Sequence, residues 1–408
     1  MADKSKKNKK KKWLKLRHRI IRHTLGIFFR ACSRIKYGAR IRSFKQEKKR
    51  QYLVLFNHTT AWDQFFVALS FRQHLYFLAS EDIFSKGFLS SALRFLQGPI
   101  PIKKQTTDVR AILNCIKVAK EGGSISLAPE GNRTYSGKTE YMNPSIAPLA
   151  KKLGLPIALY RIEGGYGVQP RWADKVRRGK MYCYVSKVIE PEEYMSLTDD
   201  ELVALIRKEL FVNEANADNL YYSKKSAEYL ERVIYYCPHC GLSSFKTSGD
   251  VIECKKCHLQ ARYLPTKELE GVGFDLPYRF VNDWYEAQNN FINSTDTTVL
   301  TEESVWEDKA TYLEVIPYQK KKTIAKDCEV KLYGDRITIS DGEYTDVLSY
   351  DECFAVTVLG KNKVNIYRQD KIYQLKGGKE FNGIKFVHFY NRYKNIKKGD
   401  INSNFLGL

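Results

Sequence analysis

Long apolar runs are missing from this 408-residue chain. No uninterrupted stretch approaches the roughly 18–20 residues a helix needs to span a bilayer. The N-terminus also lacks a small-residue cleavage site after its apolar part, so it does not read as a signal peptide. Nine cysteines are present, but outside two C-x-x-C pairs they are scattered as Cys32, Cys115, Cys183, Cys328 and Cys353. That pattern excludes a secreted disulfide framework and points to a reducing compartment. Acidic residues are scarce at one end: residues 1–50 hold 20 Lys or Arg against Asp3 and Glu47 alone, so all but about four of the 22 net positive charges lie there. A uniformly basic surface, as a nucleic-acid binder would carry, is not what this distribution describes. It describes a nearly balanced protein with a strongly basic front end.

That front end, 1–50, has two parts. Residues 4–12 hold seven lysines, and such a tract is expected to be disordered through self-repulsion. From Trp13 to about Ile35 the apolar residues Trp13, Leu14, Ile20, Ile21, Leu25, Phe28, Cys32 and Ile35 fall near helical spacing, with basic residues elsewhere on the wheel. A basic amphipathic helix behind a polylysine tract has the composition of an anchor to an anionic membrane surface. The same pattern also fits a helix packed on the following domain with a solvated or nucleic-acid-binding tail.

Strand-like and helical segments then alternate over 51–235, which predicts an α/β domain with a mixed or largely parallel sheet. Site residues are expected at its strand ends. The first strand, Tyr52 to Phe56, runs into Asn57-His58-Thr59-Thr60-Ala61-Trp62-Asp63 and then into a helix. His58 at the strand end and Asp63 near the first helical turn can meet across the intervening turn. The carboxylate would fix the imidazole tautomer and leave the other ring nitrogen as a general base. No serine or cysteine nucleophile stands beside the pair, so the proton to be removed belongs to the substrate.

Three further segments follow in order: Gln97-Gly98-Pro99-Ile100-Pro101-Ile102-Lys103-Lys104, Ala128-Pro129-Glu130-Gly131-Asn132-Arg133-Thr134, and Leu153-Gly154-Leu155-Pro156-Ile157. Taken singly, each has an ordinary structural reading, as a solvated lysine pair, a strand-to-loop turn or a strand-entry proline. Together with Asn57 to Asp63, as an ordered set over roughly the first 235 residues, they resemble the four blocks of the glycerolipid acyltransferase family, whose best-known members are 1-acyl-sn-glycerol-3-phosphate acyltransferases. The resemblance implies His58 as the base acting on a glycerol hydroxyl and Asp63 as its partner. It implies substrate binding by Asn57, Lys103, Lys104, Glu130, Gly131, Arg133, Thr134 and Pro156, with Arg133 gripping the acceptor's phosphate. Lys104, beside Lys103, stands where the family usually has an arginine; Asn132 and Thr134 replace the usual threonine and serine.

Cys237-Pro238-His239-Cys240 and Cys254-Lys255-Lys256-Cys257 are separated by 13 residues. This pairing matches a four-thiolate tetrahedral site and resembles a zinc ribbon over 236–263, with Zn²⁺ in a structural role. Residues 264–308 show no clear period and read as a linker. Six strand-like runs between Thr311 and Leu375, followed by a helical pattern over Lys379 to Tyr393, describe a β-rich domain over 309–400. Its order of elements weakly resembles a pleckstrin-homology-like domain, with no motif behind it. With no catalytic constellation there, the C-terminal half is expected to regulate or position the catalytic domain.

The expected activity is transfer of an acyl group from acyl-CoA or acyl carrier protein to lysophosphatidic acid, giving phosphatidic acid. The enzyme is expected to be cytoplasmic and peripheral on the inner face of the membrane, with no nucleic-acid partner. Another lysophospholipid acceptor, a zinc-ribbon nucleic-acid binder and a scaffold without catalysis are the alternatives.

Overall fold

The computed structural model describes residues 12–45, 50–80, 83–84, 88–102, 108–139, 141–316 and 321–407. Lys103 and Lys104 lie outside the described residues.

The first domain begins with α1 (Leu16–Tyr37) and β1 (Ala39–Ile41), joined by Gly38 in the left-handed conformation at φ +59°. A side chain there would meet the Gly179 carbonyl at 1.9 Å, so the close crossing requires glycine. Next come β2 (Leu53–Phe56), α2 (Asp63–Ser70), β3 (Leu75–Ser80), α3 (Phe88–Leu96), β4 (Ile100–Ile102), α4 (Val109–Lys120), β5 (Ser124–Leu127), α5 (Ile146–Leu153) and β6 (Ile157–Glu163). The domain closes with α6 (Gly165–Val168), β7 (Met181–Ile189), α7 (Pro191–Tyr194) and α8 (Asp199–Leu210).

The seven strands form one sheet in the order β1-β7-β6-β2-β5-β3-β4. β6, β2, β5, β3 and β4 run parallel, while β7 is antiparallel to β6 and parallel to β1. The sheet is therefore mixed. In the central strand β2 every residue is buried, which explains its unbroken apolar run. Its alternation feeds two cores: Leu53 and Leu55 join Ile125, Ile157, Ala147 and Ile206, whereas Val54 and Phe56 join Phe66, Tyr160 and Tyr37. Helices α4, α5 and α8 therefore cover one face, α1 and α2 the other.

Beyond residue 235 come β8 (Tyr236–Cys237), β9 (Gly241–Leu242), β10 (Phe245–Ser248), β11 (Val251–Cys254), β12 (Gln260–Tyr263), β13 (Leu269–Gly271) and α9 (Val281–Ser294). The last elements are β14 (Trp306–Glu314), β15 (Lys322–Leu332), β16 (Arg336–Ser340), β17 (Thr345–Ser349), β18 (Cys353–Leu359), β19 (Lys363–Arg368), β20 (Lys371–Gly377) and α10 (Ile384–Lys397). Strands β14 to β20 form a second seven-stranded sheet, antiparallel throughout, in the order β17-β16-β15-β14-β20-β19-β18.

Two expectations need correction here. The stretch 264–308 is not a linker, because β13 extends the cysteine-bearing sheet and α9 fills the core. Trp284 Nε1 donates to the Tyr236 carbonyl at 2.7 Å, and Gln288 bonds the backbone of both Tyr235 and Val233. The β-rich sheet also has seven strands where six were expected: the edge strand β17 buries only Leu348 among Thr345, Asp346, Val347 and Ser349, so its pattern carries little strand signal. One continuous apolar core links the cysteine-bearing segment, α9 and the β-rich sheet, and it extends to Tyr135, Trp172 and Ala173 of the first domain.

Candidate active site

The site forms where β2 ends and α2 begins. His58 Nδ1 lies 2.7 Å from Asp63 Oδ2. The Asp63 side chain is fully buried and also accepts from the N–H of Thr59 at 2.6 Å, the N–H of Thr60 at 3.0 Å and the Thr60 hydroxyl at 2.6 Å. These donors fix the orientation of the Asp63 carboxylate at the start of α2. An ionised Asp63 makes Nδ1 the protonated ring atom and leaves Nε2 as the atom that can take a substrate proton. The His58 side chain is 24% exposed, so its ring is open to a molecule in solution.

The third block is strapped to His58 through the backbone. The His58 N–H donates to Glu130 Oε1 at 2.8 Å, and the Thr134 N–H donates to the His58 carbonyl at 3.0 Å. Gly131 turns the loop with φ +70°, a conformation that a side chain disfavours even though the space around it is open. The Thr134 hydroxyl is occupied inside the loop, donating to the Lys138 carbonyl at 2.8 Å and accepting from the Gly137 N–H at 3.0 Å. Between them, Arg133 has a buried Nη1 without a hydrogen-bond partner. Burial, and next Arg171, pull its pKa down to about 10, while Asp63, Tyr135 and Tyr37 oppose the shift. The guanidinium remains cationic at neutral pH, and a half-buried cation with an unmet donor is suited to an incoming anion.

Two predicted substrate residues turn away from this site. Asn57 is buried and spends its amide on β6, donating to the Ile162 carbonyl at 2.9 Å and accepting from the Ile162 N–H at 2.8 Å. Pro156 precedes β6 at the opposite end of the sheet, where its carbonyl accepts from the Leu53 N–H at 3.0 Å. Five strand positions separate that end from Asn57, about 17 Å at the usual strand rise. Lys103 and Lys104 fall outside the described residues.

Sequence reasoning missed Arg171. This buried guanidinium lies over the Tyr135 ring at 3.9 Å and donates from Nη1 to the Arg133 carbonyl at 2.9 Å. No local spacing signals a contact between positions 38 residues apart.

Residues 39–161 match the family model described as acyltransferase. That stretch is an acyltransferase domain, and the chain is an acyltransferase enzyme. Over 195 residues it is 25% identical to the 1-acyl-sn-glycerol-3-phosphate acyltransferase of Borreliella burgdorferi, a match covering 45% of this chain and 76% of that protein. Among solved structures it is similar to the 1-acyl-sn-glycerophosphate acyltransferase PlsC of Thermotoga maritima, with 20% identity, a TM-score of 0.40, and coverage of 47% of this chain and 77% of that one.

The second cluster lies in the C-terminal half. The sulfurs of Cys237, Cys240, Cys254 and Cys257 all lie within 4.8 Å of one another, with Cys237 and Cys257 3.6 Å apart. Four thiolates around a tetrahedral Zn²⁺ at about 2.3 Å would sit about 3.8 Å from each other, so this donor set fits the ion.

Proposed function

We propose that this enzyme acylates lysophosphatidic acid to phosphatidic acid, with acyl-CoA or acyl carrier protein as donor. The observation that carries the reading is the buried Nη1 of Arg133, which has no hydrogen-bond partner and lies one residue from the Thr134 N–H that bonds the His58 carbonyl. A base and a phosphate grip are thereby set on adjoining segments, as a phosphorylated glycerol acceptor requires.

In this reading the acceptor phosphate is held by Arg133, joined by Lys103 or Lys104. Nε2 of His58 takes the proton of the glycerol hydroxyl as its oxygen attacks the thioester carbonyl. The tetrahedral intermediate then collapses, the C–S bond breaks and the imidazolium returns the proton to the leaving thiolate. Transfer is direct: the Thr60 hydroxyl is already bonded to Asp63, and the buried Thr59 hydroxyl has no hydrogen-bond partner, so neither is paired with the His58 ring. The cysteine cluster holds a structural Zn²⁺, since four thiolates leave no open coordination position.

The enzyme works at a membrane surface, on the inner face. No helix among the described residues is long and apolar enough to cross a membrane. Helix α1 nonetheless leaves Leu16, Ile20, Ile27, Phe28 and Ile35 exposed among basic residues, while His18, Ser33 and Tyr37 face inward. Exposed Phe88 and Phe95 of α3 add to the apolar surface.

The test is a panel of lysolipid acceptors offered to wild type and Arg133→Ala. A preference for lysophosphatidic acid over neutral-headgroup acceptors, lost in the variant through KM, supports the reading. Equal use of both acceptor classes by wild type would refute it.

A further inference from the structure

The strands β18 and β19 are joined by a turn at Gly360, Lys361 and Asn362. This turn belongs to the C-terminal sheet, yet it docks against the loop that carries Arg133. Arg171 makes the join: besides donating to the Arg133 carbonyl, its Nη2 donates to the Val358 carbonyl at 3.3 Å and its Nε to the Gly360 carbonyl at 3.4 Å. Stacking on Tyr135 fixes the plane of the guanidinium. A second strap lies alongside, where Lys361 Nζ donates to the Ala173 carbonyl at 2.6 Å and to Asp174 at 2.7 Å. Arg232, from the segment ahead of the cysteine cluster, completes it by donating to the Trp172 carbonyl at 2.6 Å and to Asp174 at 2.8 Å.

We propose that the C-terminal half is built into the acceptor site: Arg171 is a positioning residue that ties the Arg133 loop to the β18–β19 turn, and Lys361 holds that turn in place. This inference rests on Arg133 as the grip for the acceptor phosphate. Three carbonyls belonging to two parts of the chain converge on one buried planar cation. A lysine ammonium cannot reach all three at once or stack on Tyr135. Without the strap the loop keeps its bonds to His58 but loses the fixed backbone position of Arg133, so acceptor binding weakens while the base remains set.

Full-length wild type, Arg171→Lys and Lys361→Met are compared by two readouts. The first is hydrogen exchange at the Gly131 and Gly137 amides, which donate to the Ala128 carbonyl and the Thr134 hydroxyl within the loop region. Loss of a hydrogen bond to a charged group speeds local opening about tenfold or more, so both variants should exchange faster there at little changed melting temperature. The second readout is kinetic: KM for lysophosphatidic acid rises about tenfold on the same scale, while kcat and KM for acyl-CoA hold. In an Arg133→Ala background Arg171→Lys should add nothing further to KM. Unchanged exchange, or a KM effect that persists in that background, overturns the proposal. Lys361→Met keeps the test open if Arg171→Lys fails to fold. If wild type does not acylate lysophosphatidic acid, the acceptor reading fails, and exchange alone then upholds or overturns the strap.

Discussion

Glu130 Oε1 accepts the backbone N–H of His58 at 2.8 Å. This contact joins the first and third motif segments, and under the proposed function it makes Glu130 a support for the base. The predicted consequence is a kinetic split. Glu130→Ala should lower kcat by about tenfold to a hundredfold, since an unmet buried N–H costs about 1–3 kcal/mol and misplaces His58. Glu130→Gln keeps an acceptor oxygen and should retain most of the activity. KM for the acceptor should change little in either variant; a large rise in KM alone would return Glu130 to the substrate-binding group.

Helix α1 makes a separate prediction about membrane binding. Ile27 and Ile35 are 79% and 84% exposed on a folded helix, an arrangement that water disfavours and a lipid interface accepts. Replacing Ile27 by glutamate removes a side chain whose burial contributes about 1.5–3 kcal/mol. Sedimentation with anionic liposomes should show at least about a tenfold loss of binding. Binding unchanged by Ile27→Glu and Ile35→Glu together would locate the lipid contact elsewhere.

Much of this was legible in the sequence, for physical reasons that particular residues show. The unbroken apolar run of β2 and the turn from Asn57 to Asp63 are local, so the meeting of His58 with Asp63 could be expected from spacing. Asn57 and Pro156 belong to the same motif blocks but serve the sheet, because a recurring residue does not reveal whether it touches substrate or supports what does. Helix α9 was hidden because Trp284, Tyr285, Gln288 and Ile292 are buried together, which mixes polar with apolar positions and blurs the stripe a surface helix would show. Arg171 was hidden by distance, since its partner Val358 is 187 residues away.

Metal content follows from the cysteine geometry. Purified protein should contain one Zn²⁺ per chain by elemental analysis, and Cys254→Ser should lose it. Because the core around Cys237 and Cys254 continues through Trp284 into the β-rich sheet, loss of the ion should lower the melting temperature of the C-terminal half well beyond the small shifts of surface mutations. Full retention of stability without metal would show that the four sulfurs are not a structural site.

Buried histidines set an acid dependence of stability. His388 lies between the hydroxyls of Tyr235 and Tyr285, and burial pushes its pKa down to about 3. Burial first, then His74, Arg17 and Lys15, lower His18 to about 4. For both groups the folded value lies below the unfolded one, so the unfolded chain takes up protons first as pH falls. Their contribution is complete above about pH 6.5 and is lost on acidification towards the folded values. Urea unfolding of wild type against His388→Gln should show the wild-type advantage shrinking by about 2 kcal/mol between pH 7.5 and pH 5. A constant difference across that range would mean His388 does not titrate on unfolding.

The central claim is that His58, oriented by Asp63, is the base for acyl transfer to a phosphorylated glycerol. Purified wild type and His58→Ala, matched for folding by their melting curves, would be given lysophosphatidic acid and a mixed acyl-CoA pool, and phosphatidic acid would be quantified. Product from wild type and a loss of at least about a hundredfold in the variant is the predicted result, within the usual range for a general base. Equal product from both proteins would contradict the role of His58.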